Sequence, residues 1–186
     1  MVDFILDGEI RISLFQPYHA PELFQLVDDN REILGKWLSF PHKTRTIEDS
    51  RLFIERSLTR FENDHGFWAG IWLKDELAGA IGYLYMDPSA RKTEIGYWLG
   101  RGFEGNGLVT KSCVCFVNHA FEGLELNKVE INMSEQNARS IAVAERLGFK
   151  REGLIRDFEF LNGLYHNRFI YGMLRKEWAV LAGTEC

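Results

Sequence analysis

One set of ionisable side chains lies near the C-terminal end, around the pair Asn162-Gly163. Asn-Gly between two runs of strand character is a two-residue hairpin turn, which sets Leu161 opposite Leu164. Paired positions then follow by counting: Glu159 faces His166, and Asp157 faces Arg168, all four on one sheet face. A carboxylate opposite an imidazole is suited to moving a proton, the ring tuning or orienting the acid. A solvated outer face with ordinary cross-strand ion pairs fits the same letters equally well.

A second candidate is the run Gly100-Arg101-Gly102-Phe103-Glu104-Gly105-Asn106-Gly107, placed between a strand and a helix. Glycines there let the backbone approach a ligand closely, and the free amides of a helix start attract an anion, so a phosphate-bearing ligand is the natural guess. Such turns also occur with no ligand role. Two nucleotide readings fail on the letters. Lys111-Ser112 lacks the glycine that precedes the lysine of a P-loop, and the glycine spacing does not match the dinucleotide fingerprint. Ser140 follows Asn137 by three residues at a helix start, where a hydroxyl often serves only to satisfy local amides. Cys113 and Cys115 are two apart on a helix and do not share a face, and His19, His42, His65, His119 and His166 show no metal-ligand spacing. No metal is implied.

Stepping outward, the elements that must hold these groups alternate between strand and helix patterns. Ile10 to Phe15 alternates as a half-buried strand, and Pro21 opens a helix carrying Leu23, Leu26 and Val27 that gives way near Gly35. Lys36 to Lys43, with Trp37 and Phe40, reads as an irregular apolar segment, either core or substrate wall. Thr46 and Asp49 form a capping box before a second helix whose apolar face holds Ile47, Ile54, Leu58 and Phe61. Phe67 to Leu73, Leu77 to Tyr85 and Thr93 to Leu99 make an antiparallel meander. After the glycine loop comes a helix with Val109, Cys113, Phe116, Val117 and Ala120 on one side, then the strand Lys128 to Met133, parallel to its predecessor through a right-handed crossover. A short helix over Ala138 to Leu147 stops at Gly148, and two long strands, Phe149 to Leu161 and Leu164 to Leu174, close the chain.

The chain of 186 residues suits one domain spanning 1–186, with its core over about 10–178, and 46% hydrophobic residues suffice to build that core. A net charge of −5 argues against nucleic-acid phosphates as partner and slightly favours a cationic or amine-bearing one. Cys113, Cys115 and Cys186 form no disulfide framework. The first fifteen residues lack the features of a signal peptide and no stretch reaches membrane-span length, so a cytoplasmic location without membrane contact is expected.

At several separate points the sequence resembles the GCN5-related N-acetyltransferases (GNAT). Glu94-Ile95-Gly96-Tyr97-Trp98-Leu99 followed by Gly105-Asn106-Gly107-Leu108 and Thr110 is similar to the family's strand and pyrophosphate loop. Asn137-Ala138-Arg139-Ser140 followed by Leu147-Gly148-Phe149 is similar to its second CoA-binding segment. The subgroup it most resembles is the RimJ/RimL-type ribosomal-protein N-terminal acetyltransferases.

The resemblance implies an α/β (α+β) GNAT fold, a single mixed, mostly antiparallel seven-stranded sheet with helices on both faces. It implies direct transfer of acetyl from acetyl-CoA to an amine, the α-amine of a protein N-terminus, with polyamines, aminoglycosides or catalytically idle acyl-CoA binding as alternatives. It places Tyr97, Trp98, Leu99, Phe103, Gly105, Asn106, Gly107, Leu108, Val109, Thr110 and Asn137 on acetyl-CoA. The thioester would lie where the strands ending the crossover splay apart. Glu159 takes the role of a base acting through water and Ser140 that of the acid for the thiolate, with Trp37 and His166 on the acceptor. Glu104 would put a negative charge beside the pyrophosphate and is expected to point to solvent. A homodimer or higher homo-oligomer is also expected, the aromatic residues, Trp37, Trp68 and Trp72 among them, leaving room for an apolar surface.

Overall fold

A computed structural model describes residues 2–6 and 8–182 of the chain; Cys186 lies outside the described residues. The elements run β1 (Asp3–Leu6), β2 (Ile10–Leu14), α1 (Ala20–Asp29), α2 (Arg31–Leu34), α3 (Ile47–Glu62), β3 (Phe67–Leu73), β4 (Glu76–Asp87), β5 (Lys92–Leu99), α4 (Leu108–Asn118), β6 (Lys128–Ser134), α5 (Ala138–Arg146), β7 (Lys150–Leu161), β8 (Leu164–Leu174) and α6 (Arg175–Ala182). A π-helical turn, His119–Gly123, extends α4, and 3-10 turns occupy Pro17–His19 and Phe40–His42.

Strands that are apolar on both faces need cover on both sides, and β3, β4 and β5 are of this kind. Ala69, Ile71, Ile81, Tyr83 and Ile95 enter a core shared with α4, its π-helical turn and α5. Trp72, Leu77, Ala80 and Trp98 enter a second core with Leu23 and Val27 of α1, Leu34 of α2 and Ile54 of α3. Helices therefore cover both faces, as the family resemblance implied. Trp72 is 2% exposed, which removes it from any self-association surface. Six of the eleven large exposed apolar side chains among the described residues lie instead on the last hairpin: Leu154, Ile155, Phe158, Phe160, Leu164 and Tyr165.

The sheet has the strand order β1-β2-β3-β4-β5-β6-β8-β7, eight strands where seven were expected. The additional one is β1, paired antiparallel with β2 from Asp3↔Ser13 to Leu6↔Ile10. Its four residues are too few to display a period, but the dipeptide Asp7-Gly8 is a hairpin signal that announces it. All neighbours are antiparallel except β5 and β6. The parallel contact ends early: it joins Lys92↔Lys128, Thr93↔Val129 and Glu94↔Glu130 and no more. Beyond Glu94 each strand keeps only its antiparallel neighbour, so the sheet opens into a slot between Ile95–Leu99 and 131–134.

Local signals hold the elements beside that slot. Thr46 accepts the N–H of Asp49 at 3.2 Å while Asp49 accepts the N–H of Thr46 at 2.8 Å, the expected capping box of α3. Asn162 (φ 55°) and Gly163 (φ 81°) take the left-handed conformations of the predicted turn. Cys113 is fully buried in the core, where burial pushes its thiol pKa up. Among the described residues no helix is long and apolar enough to cross a membrane.

Candidate active site

The slot is the floor of a cavity of about 1040 Å³. Because side chains alternate along β5, its two faces differ: Tyr97 belongs to the core under α4 and α5, whereas Trp98 packs on Phe40 at 5.6 Å on the opposite face. The cavity is lined by residues from both faces of the sheet, which group into two arms. One is walled by α4, its preceding loop and α5, the other by the 33–38 segment, Trp68 and the last hairpin.

In the first arm, Gly102, Gly105 and Gly107 adopt φ of 94°, 84° and 69°, which favours glycine strongly over residues with a Cβ. A Cβ at Gly102 or Gly105 would meet nothing within 4 Å, and at Gly107 only Lys111 Cε at 3.9 Å. The loop thus presents an open backbone surface leading into the first turn of an 11-residue helix, whose initial amides have no intrahelical acceptor. These features fit a diphosphate. Gly105, Gly107, Leu108, Val109 and Thr110 all line this arm. Phe103 and Asn106, expected there too, do not: the Phe103 ring packs on the core, and Asn106 Nδ2 donates back to the Phe103 carbonyl at 3.4 Å. Glu104, expected to point to solvent, instead lines the arm, its carboxylate bound in an ion pair with Arg139 of α5.

Facing the loop, Asn137 caps α5, its side-chain oxygen accepting the Ser140 N–H at 3.2 Å. The Asn137 oxygen is thereby used, leaving its Nδ2 to donate to a ligand. The Tyr97 hydroxyl donates to the Ser140 carbonyl at 3.4 Å, and burial raises its pKa so that it keeps its proton. Tyr97, Asn137 and Ser140 therefore meet at one point of the slot, although more than forty residues separate Tyr97 from Ser140. Leu99 and Trp98 line the slot as well, Trp98 also packing into the second core.

The second arm receives the hairpin. Glu159 pairs with His166 in register, as counted from the turn. The His166 ring contacts the Leu161 carbonyl instead, its Nε2 lying 3.2 Å from that oxygen. Among the described residues no side chain bonds to Glu159. The expected opposition of Asp157 and Arg168 is not found: Arg168 pairs with Ile155, because β7 bulges between Ile155 and Glu159. Asp157 sits at φ 49° in that bulge, its N–H donating to Asn167 Oδ1 at 3.0 Å. Extra residues inserted in one strand shift the pairing beyond them, so a count that begins at the turn fails past the bulge. The tip of the hairpin reaches the acceptor-side segment, where Asn162 Nδ2 donates to the Gly35 carbonyl at 2.8 Å, two residues from Trp37. Trp37 is half-buried and lines the cavity.

Arg168, freed from Asp157, makes an ion pair with Glu94 and stacks its guanidinium on Phe158 at 4.3 Å. Glu94 stands where the parallel pairing ends and is 7% exposed. Burial is the largest influence on its carboxyl and raises its pKa, although Arg168 and Asn132 pull the other way. Its neighbour across the strands, Glu130, receives Lys128 at 3.0 Å, Lys92 at 3.6 Å and the Tyr85 hydroxyl at 3.0 Å. Despite burial these partners hold Glu130 below the usual glutamate value. In the sequence Glu94 figures only within a motif, and an acid directly before the run Ile95-Gly96-Tyr97-Trp98-Leu99 is the signal that marks it.

A slot in a mixed sheet, with a glycine-rich loop on one side and an acid-bearing arm on the other, fits a two-substrate group-transfer enzyme. The family described as acetyltransferase (GNAT) domain matches residues 9–150. The chain is 39% identical over 174 residues to the protein YdaF of Bacillus subtilis (strain 168), covering 93% of this chain and 95% of that one. It is 29% identical over 156 residues to the ribosomal-protein-serine acetyltransferase of Escherichia coli (strain K12), covering 84% and 87%. Among solved structures, RimL, the ribosomal L7/L12 alpha-N-protein acetyltransferase in complex with coenzyme A, superposes with a TM-score of 0.91 at 25% identity, over 94% of this chain and 99% of that one. The chain belongs to the GNAT acetyltransferases. It is an N-acetyltransferase whose acetyl donor is acetyl-CoA.

Proposed function

We propose that this enzyme acetylates the α-amine of a protein N-terminus, a ribosomal protein being the acceptor class favoured by its relatives. The observation that carries the reading is the second arm: an open, apolar-walled approach past Trp37 and Phe158 that leads to Glu94 and Glu159. An extended chain end fits such an approach, and carboxylates at its end suit an ammonium. The names of the E. coli relative and of RimL support the same acceptor.

In this reading the amides of Gly105, Gly107, Leu108, Val109 and Thr110 hold the donor's diphosphate, and Asn137 donates to its pantetheine arm. The bound donor supplies an activated thioester carbonyl. The free edge of Tyr97–Leu99 pairs with the pantetheine, and a backbone N–H there steadies the oxyanion. Glu159 takes a proton from the acceptor ammonium through a water, and Ser140 returns one to the departing thiolate. His166 and Trp37 border the acceptor. We further propose that the whole chain acts as one domain and that the exposed hairpin residues are covered in a homodimer.

The test is free-thiol release from acetyl-CoA with N-terminal peptides, polyamines and aminoglycosides as acceptors. Release with the peptides alone is expected. Glu159→Gln should lower turnover at least tenfold with little change in CoA binding, an effect of the size general-base removal commonly gives, ~10²-fold. Ser140→Ala should lower turnover at unchanged KM for both substrates. Preferential release with a polyamine or aminoglycoside refutes the acceptor assignment, and full turnover in Glu159→Gln removes Glu159 from the mechanism.

A further inference from the structure

The loop assigned above to the donor's diphosphate carries an acid. Glu104 directly precedes Gly105, and a carboxylate beside a bound diphosphate is repelled by it. In the structure that carboxylate is met by Arg139, from the first turn of α5, 35 residues away in sequence. Glu104 and Arg139 stand on opposite walls of the donor arm, and both line it. Their pair therefore bridges the arm. Both side chains remain wet, 79% exposed for Arg139 and 44% for Glu104. A pair so exposed contributes little to folding and exchanges partners at small cost. The planar guanidinium also matches a phosphate better than it matches a single carboxylate oxygen.

We propose that the Glu104–Arg139 pair is a strap across the donor arm that sets how tightly CoA is held. Arg139 is a donor-binding residue shared between Glu104 and the diphosphate. Glu104 is its counterweight: it competes for the guanidinium and repels the diphosphate, which weakens binding and speeds release of CoA after transfer. This inference rests on the loop reading of the preceding subsection. It goes beyond that reading by giving two side chains, neither of them a catalytic group, opposite effects on donor affinity.

Opposite sign separates the strap from an ordinary structural ion pair. If the pair merely braced the loop, removing either partner would weaken CoA binding alike. With the strap, Glu104→Gln tightens CoA binding and Arg139→Gln loosens it. Each change should amount to about five- to tenfold at low salt, the size of a partly screened interaction between one surface charge and a diphosphate. The double variant, which removes both charges together, should return to within about twofold of the wild type by the same reasoning.

The experiment is titration calorimetry of CoA into the full-length wild type, Glu104→Gln, Arg139→Gln, the double variant, and Gly107→Val as a reference for the loop. Stopped-flow displacement of CoA should show slower release from Glu104→Gln. Single variants that shift affinity in the same direction, or not at all, overturn the strap while Gly107→Val still abolishes binding. If Gly107→Val, with its fold intact by circular dichroism, binds CoA as the wild type does, the loop assignment itself falls and the strap with it.

Discussion

Two carboxylates line the second arm, and their surroundings differ. Glu159 is half-buried, and no side chain among the described residues bonds to it, which leaves its lone pairs for water. Glu94 is buried and tied to Arg168. Its pKa is raised, so the folded protein binds that proton more tightly than the unfolded chain. The stabilising contribution of Glu94 is therefore complete below the ordinary glutamate value and is lost as pH rises through the folded value. We therefore expect the stability difference between the wild type and Glu94→Gln to shift against the wild type from acidic toward neutral pH. Urea unfolding of both proteins across that range is the check, and a difference independent of pH contradicts the assignment. Glu159 was legible from the sequence because Asn162-Gly163 counts directly to it. The Glu94–Arg168 pair was not, since a bulge in β7 between Ile155 and Glu159 moves the residue opposite Arg168 by two positions, from Asp157 to Ile155.

At the scale of elements, the last hairpin is both the carrier of Glu159 and a brace for the acceptor-side segment. Its tip fastens to Gly35 through Asn162, whose left-handed conformation the turn requires. Asn162→Gly separates these duties, because glycine keeps the conformation and deletes the amide that reaches Gly35. Losing one such hydrogen bond costs about 1 kcal/mol, which corresponds to roughly fivefold. The acceptor KM should accordingly rise about fivefold while CoA affinity stays constant; steady-state kinetics with calorimetry measures both. Most element boundaries were readable because their punctuation is local: the capping box at Thr46, Gly148 after α5, Asn162-Gly163 between β7 and β8. The β5–β6 parting has no such mark. It follows from the two strands having different antiparallel partners, β4 and β8, whose twist carries them apart after three paired residues.

For the molecule as a whole, the exposed apolar residues of β7 and β8 lie at one end of the sheet, on the edge strand and its neighbour. An edge of this kind invites pairing with a second chain. Sedimentation equilibrium is expected to give a dimer, and the double replacement Phe160→Glu with Tyr165→Glu a monomer; a wild-type monomer at micromolar concentration contradicts the dimer. The amino-acid order by itself determined the succession of strands from β2 to β8, the glycine-rich loop before α4 and the facing of Glu159 by His166, because each depends on neighbours along the chain or across one tight turn. The tertiary structure alone decided that the loop, Tyr97, Ser140 and the hairpin surround one slot. It also decided that Arg168 serves Glu94 and that Arg139 reaches Glu104. Those contacts join residues far apart in sequence, and their geometry comes from sheet twist, a bulge and helix packing, which no local pattern of residues encodes.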